Sequence, residues 1–114
     1  MNGHLTALRD RHDVSRTGLV RLACQSVWGE VDDAFVGEDG RLRVESLQQR
    51  LEITTCLAAV LRLVWEGKRD KEIAHELRIS VHTAANYRRR LRRKLRAQTS
   101  TLLVREVYHA LARR

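Results

Sequence analysis

The sequence predicts an all-α protein, and three observations lead to this fold class. The 114 residues include no proline and only six glycines, and proline is the residue that most strongly interrupts a helix. Apolar residues recur at spacings of three and four rather than in alternation. Serine, threonine or aspartate stands just before several of these segments, where its side chain can cap a helix. The length suits one domain with a single hydrophobic core.

Residues 1–52 are expected to form an N-terminal helical region. A short helix is predicted over 4–11, and Ser15 can cap a longer one. The apolar face of the longer helix is expected to consist of Val20, Ala23, Val27, Trp28, Val31, Ala34 and Phe35. A turn is predicted at 37–40, followed by one or two helical turns at 45–51.

Residues 53–114 form the second predicted region. Thr54 or Thr55 can cap a helix over 57–66, which Gly67 is expected to end. No flexible linker rich in glycine, serine or proline joins the two regions. We therefore expect the N-terminal region to pack on the C-terminal one and to share its core.

The segment 70–87 has the pattern of two helices joined by a tight turn. Asp70 can cap the first helix, whose buried stripe is expected to be Ile73, Ala74 and Leu77. The small side chain of Ala74 permits a close approach of the second helix, Ile79 fills the turn, and Ser80 can cap the second helix. The inward positions of that second helix are Ala84, Tyr87, Leu91 and Leu95. This is the pattern of a helix-turn-helix.

Positive charge is concentrated in the second region. Residues 1–50 hold seven basic and eight acidic residues, whereas residues 51–114 hold fifteen and six. This excess predicts a polyanionic partner for the C-terminal half. The outward face of the second helix presents His82, Ala85, Asn86, Arg89 and Arg93. In a major groove arginine can read guanine, and asparagine adenine, through paired hydrogen bonds.

Further positions on the same helix are expected to hold DNA phosphates, which gives affinity without sequence information. Arg88 and Arg90 extend the positive charge around the helix, and His82 lies near its start. We assign all three to phosphate contacts, although the sequence leaves open whether Arg88 and Arg90 reach base edges.

Three segments, 60–67, 71–80 and 83–95, resemble the LuxR/NarL family of bacterial transcription regulators, also called GerE-like. The resemblance covers about residues 53–112. It implies a four-helix unit over 55–66, 71–78, 81–97 and 100–112, preceded here by a helical extension. In this family the third helix reads the major groove of DNA and the fourth commonly mediates dimerisation.

The resemblance also implies roles for individual residues. Base-reading positions fall on Ala85, Asn86 and Arg89. Positions that usually touch the phosphate backbone fall on Lys71, Thr83 and Arg93. Ser100 is expected to cap the last helix. The apolar positions of that helix are Leu103, Val104, Val107 and Leu111. They are expected to lie in the core and, in part, in a dimer interface.

The sequence departs from the family pattern at several positions. Leu57 and Ala59 stand where acidic residues are usual, which indicates that this helix faces the N-terminal region rather than water. Ala85 replaces a frequent lysine, so the target sequence cannot be borrowed from relatives. Arg78 stands where many helix-turn-helix units have glycine and needs a backbone conformation that tolerates it.

These features predict a sequence-specific regulator of transcription that binds double-stranded DNA as a homodimer. No nucleophile–base pair and no phosphate loop are present, so we expect neither an enzyme nor a cofactor. Cys24 and Cys56 lack the spacing of a zinc site, so no metal is expected. With no membrane-length apolar run and no signal peptide, the expected location is the cytoplasm, in association with the nucleoid.

Two alternatives stay open. The chain could keep the fold as an interaction module or adaptor that docks RNA polymerase or another regulator through Asp32, Asp33, Glu38 and Asp39. RNA binding is disfavoured, because the chain lacks a series of aromatic residues on which unpaired bases stack.

Overall fold

The computed structural model describes residues 16–113. This part of the chain forms six α-helices and one short 3-10 helix, Asp33–Phe35. The α-helices are α1 (Arg16–Trp28), α2 (Val44–Leu51), α3 (Thr55–Trp65), α4 (Asp70–Leu77), α5 (Val81–Lys94) and α6 (Ser100–Leu111). Residues 16–113 contain only isolated β-bridges and no strand, which confirms the all-α prediction. The helix predicted at 4–11 and the cap at Ser15 lie outside the described residues.

Helix α1 ends earlier than predicted, at Trp28. The next residue, Gly29, has φ +81°, a left-handed conformation that glycine adopts without steric cost and that commonly follows the last turn of a helix. Its N–H still donates to the Gln25 carbonyl at 2.9 Å. The chain then leaves the helix axis, so the prediction that Val31 and Ala34 continue the helical stripe is wrong.

The buried face of α1 also differs from the prediction. Cys24 is the buried residue of this helix, and Val20 and Trp28 flank it while half-buried. Ala23 and Val27 point outward, and Val27 is 74% exposed. The inward face of α1 is therefore rotated away from the stripe that hydrophobic spacing alone indicates.

The capping pattern of the C-terminal region follows the sequence closely, with two shifts of one residue. Thr54 caps α3, accepting a hydrogen bond from the Leu57 N–H at 3.2 Å. The cap of α4 is Arg69 rather than Asp70, and the Glu72 carboxylate accepts from the Arg69 N–H at 2.9 Å. The cap of α6 is Thr99 rather than Ser100, and it accepts from the Leu102 N–H at 3.1 Å.

Helix α5 is shorter than the predicted span of 81–97. It ends at Lys94, and Arg96 then adopts a left-handed conformation with φ +56°. The Ala97 N–H donates to the Arg92 carbonyl at 2.7 Å, which satisfies an end carbonyl of the helix.

The two predicted regions share one hydrophobic core. Helix α1 packs along α6, and α2 packs on α3. Cys24, Leu42 and Leu47 belong to the same buried cluster as the interior residues of α3 to α6. The contact between α2 and α3 agrees with the expectation that the apolar start of α3 faces the N-terminal region; Leu57 is half-buried there.

Hydrogen bonds fasten the segment after α1 to the end of α6. The Tyr108 hydroxyl donates to the Gly29 carbonyl at 2.6 Å. The Asp32 N–H donates to the Leu111 carbonyl at 2.8 Å, and the Arg113 N–H donates to the Glu30 carbonyl at 2.8 Å. We call residues 29–32 together with 111–113 the clasp. It holds α1 and α6 side by side at their carboxyl ends.

Candidate nucleic-acid interface

Helices α4 and α5 are joined by a three-residue turn that fixes their relative position. Arg78 adopts the left-handed conformation, with φ 57° and ψ 46°, and ends α4. The Ile79 N–H donates to the Ala74 carbonyl at 3.0 Å, and the half-buried Ile79 side chain packs on the core. Ser80 then caps α5, accepting from the Thr83 N–H at 3.0 Å. The geometry is that of a helix-turn-helix.

The inner face of α5 is set by small and aliphatic residues. Ala84 and Leu91 have no exposed surface, and Tyr87 and Leu95 pack half-buried beside them. Helix α5 contacts both α3 and α4 through this face. The opposite face of α5 is consequently held rigidly toward solvent.

Two of the predicted base-reading residues are in direct contact on that outward face. The Arg89 Nη1 atom donates to the Asn86 Oδ1 atom at 2.9 Å. Arg89 is exposed, and Asn86 and Ala85 are half-buried. The structure thus brings all three predicted positions onto one side of α5, with a guanidinium at its edge.

Most of the predicted phosphate-contacting residues surround this face. Lys71, His82, Arg90 and Arg93 are exposed, with Lys71 on α4 and the others on α5. The Arg90 guanidinium lies 5.8 Å from the centre of the Tyr87 ring, where the negative ring face attracts it. The Thr83 hydroxyl accepts from the Ser80 hydroxyl at 2.8 Å and stays close to the start of α5.

Arg88 departs from its predicted role, because its guanidinium points into the protein. Its Nη2 atom lies 2.9 Å from an oxygen of the Asp70 carboxylate and donates to the Lys68 carbonyl at 3.2 Å. Its Nη1 atom donates to the Ser100 hydroxyl at 3.3 Å. With 22% of the side chain exposed, Arg88 links the amino ends of α4 and α6 to the middle of α5. The two terminal nitrogens of its guanidinium are used inside the chain and are not offered to phosphates.

Other exposed cations lie near this face, and the sequence assigned no DNA contact to two of them, Arg69 and Arg78. Arg78 occupies the turn between α4 and α5, Arg69 precedes α4, and Lys94 closes α5. Their signal was the clustering of charge, which identifies a region but not the side chains within it that face outward.

The four residues assigned to a dimer interface occupy the chain's own core. Leu103, Val104, Val107 and Leu111 have no exposed surface. Helix α1 packs along α6, so these side chains offer no surface to a second copy while α1 keeps its place.

The acidic residues considered for partner docking have mostly local contacts. The Asp32 carboxylate accepts from the Ala34 N–H at 2.9 Å, and Asp39 accepts from the Arg41 N–H at 3.0 Å. The Asp33 carboxylate lies 2.8 Å from the Arg113 guanidinium. Three of the four acids therefore have contacts that serve the fold.

No group of three or more potential metal ligands occurs within residues 16–113. Cys24 is buried, and burial raises the pKa of its thiol above the ordinary value, while the charge of Arg105 opposes this effect. Cys56, in contrast, is exposed at the start of α3. In the same part of the chain no helix has both the length and the apolar character needed to cross a membrane.

Comparison with known proteins supports the assignment of the C-terminal half. Residues 58–107 match the family described as GerE, bacterial regulatory proteins of the luxR family. The matched segment contains α4, α5 and most of α3 and α6. No curated protein and no solved structure was found to match the chain.

Proposed function

Residues 58–107 form a LuxR-type helix-turn-helix domain, and on that premise we propose that the protein is a sequence-specific, double-stranded-DNA-binding regulator of transcription. The observation that carries the proposal is the Asn86–Arg89 pair on the outward face of α5. Both side chain types can form paired hydrogen bonds with a base edge, to adenine and guanine respectively. In this proposal α5 enters the major groove, and its amino-terminal half reaches the bases.

The surrounding cations provide affinity that does not depend on sequence. We assign phosphate contacts to Lys71, His82, Thr83, Arg90 and Arg93, of which all but Thr83 are exposed. Arg88 is left out of this set because its guanidinium is bound within the protein. Each cation that neutralises a phosphate releases counterions, so binding is expected to weaken steeply as salt increases.

The proposed regulator acts as a homodimer on two half-sites. A two-fold pair would place the two copies of α5 in successive major grooves, about one helical turn of DNA apart. Its place of action is the cytoplasm, on the nucleoid, where bacterial DNA lies.

The test is a selection of purified full-length protein against a randomised duplex library, followed by binding of the selected duplex over a salt series. We expect enrichment of a motif with two half-sites. Arg89→Ala should weaken binding to that motif by about 1–3 kcal/mol and relax its specificity, since one base contact is lost.

Arg93→Ala is the matched control, because it removes the same charge from a neighbouring exposed position of α5. It should weaken all duplexes alike and reduce the salt dependence by about one ion. Equal losses from both variants on every duplex would contradict sequence reading by Arg89. A protein that binds no duplex at all would instead favour the interaction module.

A further inference from the structure

Helix α1 exposes an apolar face that no other part of residues 16–113 covers. Leu19 is 55% exposed, Leu22 62% and Val27 74%. Within residues 16–113 only one other large apolar side chain, Val81 on α5, is classed as exposed. Together with Ala23 and Ser26, these three residues recur at the spacing that forms one continuous stripe on a helix. We call Leu19, Leu22, Ala23, Ser26 and Val27 the α1 face.

The α1 face carries no charge, in contrast to the rest of the molecule. Between residues 17 and 28 the only charged residue is Arg21, and the chain as a whole has a formal net charge of +8. The Arg21 guanidinium is turned inward, 5.6 Å from the centre of the Trp65 ring. Solvent at this face therefore meets only apolar and small polar groups.

A groove beside the α1 face extends the apolar surface onto α6. It has a volume of about 290 Å³ and is lined on α1 by Val20, Val27 and Trp28, and on α6 by Thr101, Leu102 and Arg105. The Arg105 guanidinium lies 3.4 Å from the Glu106 carboxylate. On a soluble protein, a contiguous exposed apolar patch of several hundred Å² is often an interaction site.

We propose that the α1 face and its groove form the interface with a second copy of this chain. This deepens the homodimer part of the proposed function and rests on it. The interior of α6, which the family resemblance assigned to dimerisation, is closed by α1. Helix α1 thus covers the apolar surface of α6 and exposes an apolar surface of its own.

The absence of charge from the α1 face itself favours a second copy over a partner of opposite charge. An acidic partner would be attracted to the basic half of the chain, which includes α5, rather than to an uncharged stripe. Two copies of a +8 chain repel one another, and that repulsion is smallest where uncharged faces meet. A two-fold pair requires each copy to offer the same self-complementary patch, which an uncharged apolar stripe provides.

The position of the face also fits a pair of copies. Helix α1 packs on α6, whereas α5 packs chiefly on α3 and α4, so pairing through α1 leaves the outward face of α5 free. Specific interfaces bury at least about 1,200 Å² in total, so a pair would use the α1 face together with its groove and not the three exposed apolar side chains alone.

Sedimentation of the full chain over a concentration series tests the interface. The wild-type protein is expected to dimerise. Leu22→Glu and, separately, Val27→Glu should raise the dimer dissociation constant by roughly a hundredfold or more, because a two-fold pair brings the new carboxylates close together. Gln49→Glu, which adds the same charge at an exposed position of α2, should leave the constant unchanged. Circular dichroism would verify that each variant is folded.

A wild-type chain that stays monomeric would overturn the inference, as would a dimer that neither Leu22→Glu nor Val27→Glu weakens. If the chain is monomeric, slow reaction of a Leu22→Cys variant with a thiol reagent would indicate that residues 1–15, and not a second copy, cover the α1 face.

Measurements of DNA binding distinguish a failure of this inference from a failure of the proposed function. Leu22→Glu should retain wild-type affinity for a single half-site and lose the additional affinity for two. If no duplex is bound but the glutamate variants still dissociate a dimer, the proposed function fails and the interface stands. If half-sites are bound while the oligomeric state is insensitive to these variants, the interface fails and the DNA-binding function stands.

Discussion

The guanidinium of Arg89 donates a hydrogen bond to the side-chain carbonyl of Asn86, one turn earlier on the exposed side of α5, at 2.9 Å. The contact orders a long side chain before any ligand arrives, which lowers the entropy lost on binding. It also means that the two residues are coupled, so substitutions at the two positions are not expected to be additive.

Arg89→Lys should separate base reading from charge. Lysine keeps the positive charge but lacks the planar fork that forms two parallel hydrogen bonds. We expect affinity for the selected duplex to fall by about 1–3 kcal/mol, whereas affinity for unrelated duplexes changes little. Competition binding at constant salt measures both. A lysine variant with full discrimination would show that Arg89 acts only through its charge.

Arg88 and Arg90 lie two positions apart, and we expect the same substitution to change a different property at each. At Arg88 it should lower stability, and at Arg90 it should lower the salt dependence of DNA binding. Arg88→Met leaves the Asp70 carboxylate and the Lys68 carbonyl without their cationic partner. We expect a loss of about 1–3 kcal/mol in the free energy of unfolding, measured by urea denaturation. The salt dependence of DNA binding should not change.

Arg90→Met is the matched control, since Arg90 is exposed. Its free energy of unfolding should stay within about 0.5 kcal/mol of wild type. The salt dependence of its DNA binding should fall by about one ion. If the Arg88→Met protein is as stable as wild type and its DNA binding depends less on salt, Arg88 contacts a phosphate after all.

Arg78→Gly should stabilise the protein. Arg78 has φ 57° at the end of α4, where a residue with a Cβ atom is strained and glycine is not. The greater freedom of glycine in the unfolded chain offsets part of this effect, so we expect the free energy of unfolding to rise by about 0.5–1 kcal/mol. Thermal or urea unfolding measures the effect.

The same substitution by glycine within a regular helix should instead lower the free energy of unfolding. Arg93→Gly, in α5, should cost about 1 kcal/mol. A destabilised Arg78→Gly protein would indicate that the Arg78 side chain contributes contacts that outweigh the strain.

Tyr108 should make the protein sensitive to alkaline pH. Burial, and secondarily the charges of Cys24 and Glu30, raise the pKa of Tyr108 above the ordinary value of 10, while Arg21 lowers it. The folded state therefore holds the phenolic proton more tightly than the unfolded state. The resulting stability is complete below about pH 10 and is lost as pH rises through the folded pKa.

Tyr108→Phe should remove this part of the pH dependence. At neutral pH it should cost about 1 kcal/mol, because the Gly29 carbonyl loses its donor. Urea unfolding at neutral pH and above pH 10 measures both effects, with Tyr87→Phe as the matched control. An alkaline decline equally steep in the Tyr108→Phe variant would assign the effect to other groups, among them Cys24.

The helix-turn-helix could be predicted from sequence because its determinants are local. Ser80 caps the helix that it precedes, Ile79 fills the turn that contains it, and Ala84 and Leu91 follow the helical period. These signals lie within a few residues of the structure that they determine. The outward direction of Arg89 follows from the same periodicity.

The features that could not be predicted depend on contacts distant in sequence. The end of α1 at Gly29 is supported by Tyr108, 79 residues away. The inward direction of Arg88 depends on Asp70 and Ser100, which lie on other helices. Helical periodicity placed Val27 on an apolar stripe, but it could not show which part of that stripe α6 covers.

The clasp has a consequence for the order in which the molecule can be completed during synthesis. Residues 29–32 leave the ribosome well before residues 111–113, and the bonds between them cannot form until both have emerged. Roughly 80 residues added at about 5–20 per second correspond to several seconds of translation. During that interval α1 has neither α6 nor its final hydrogen bonds, so the nascent chain presents both faces of this helix to the cell. Chaperone binding to stalled nascent chains should accordingly be strongest before α6 has emerged from the ribosome.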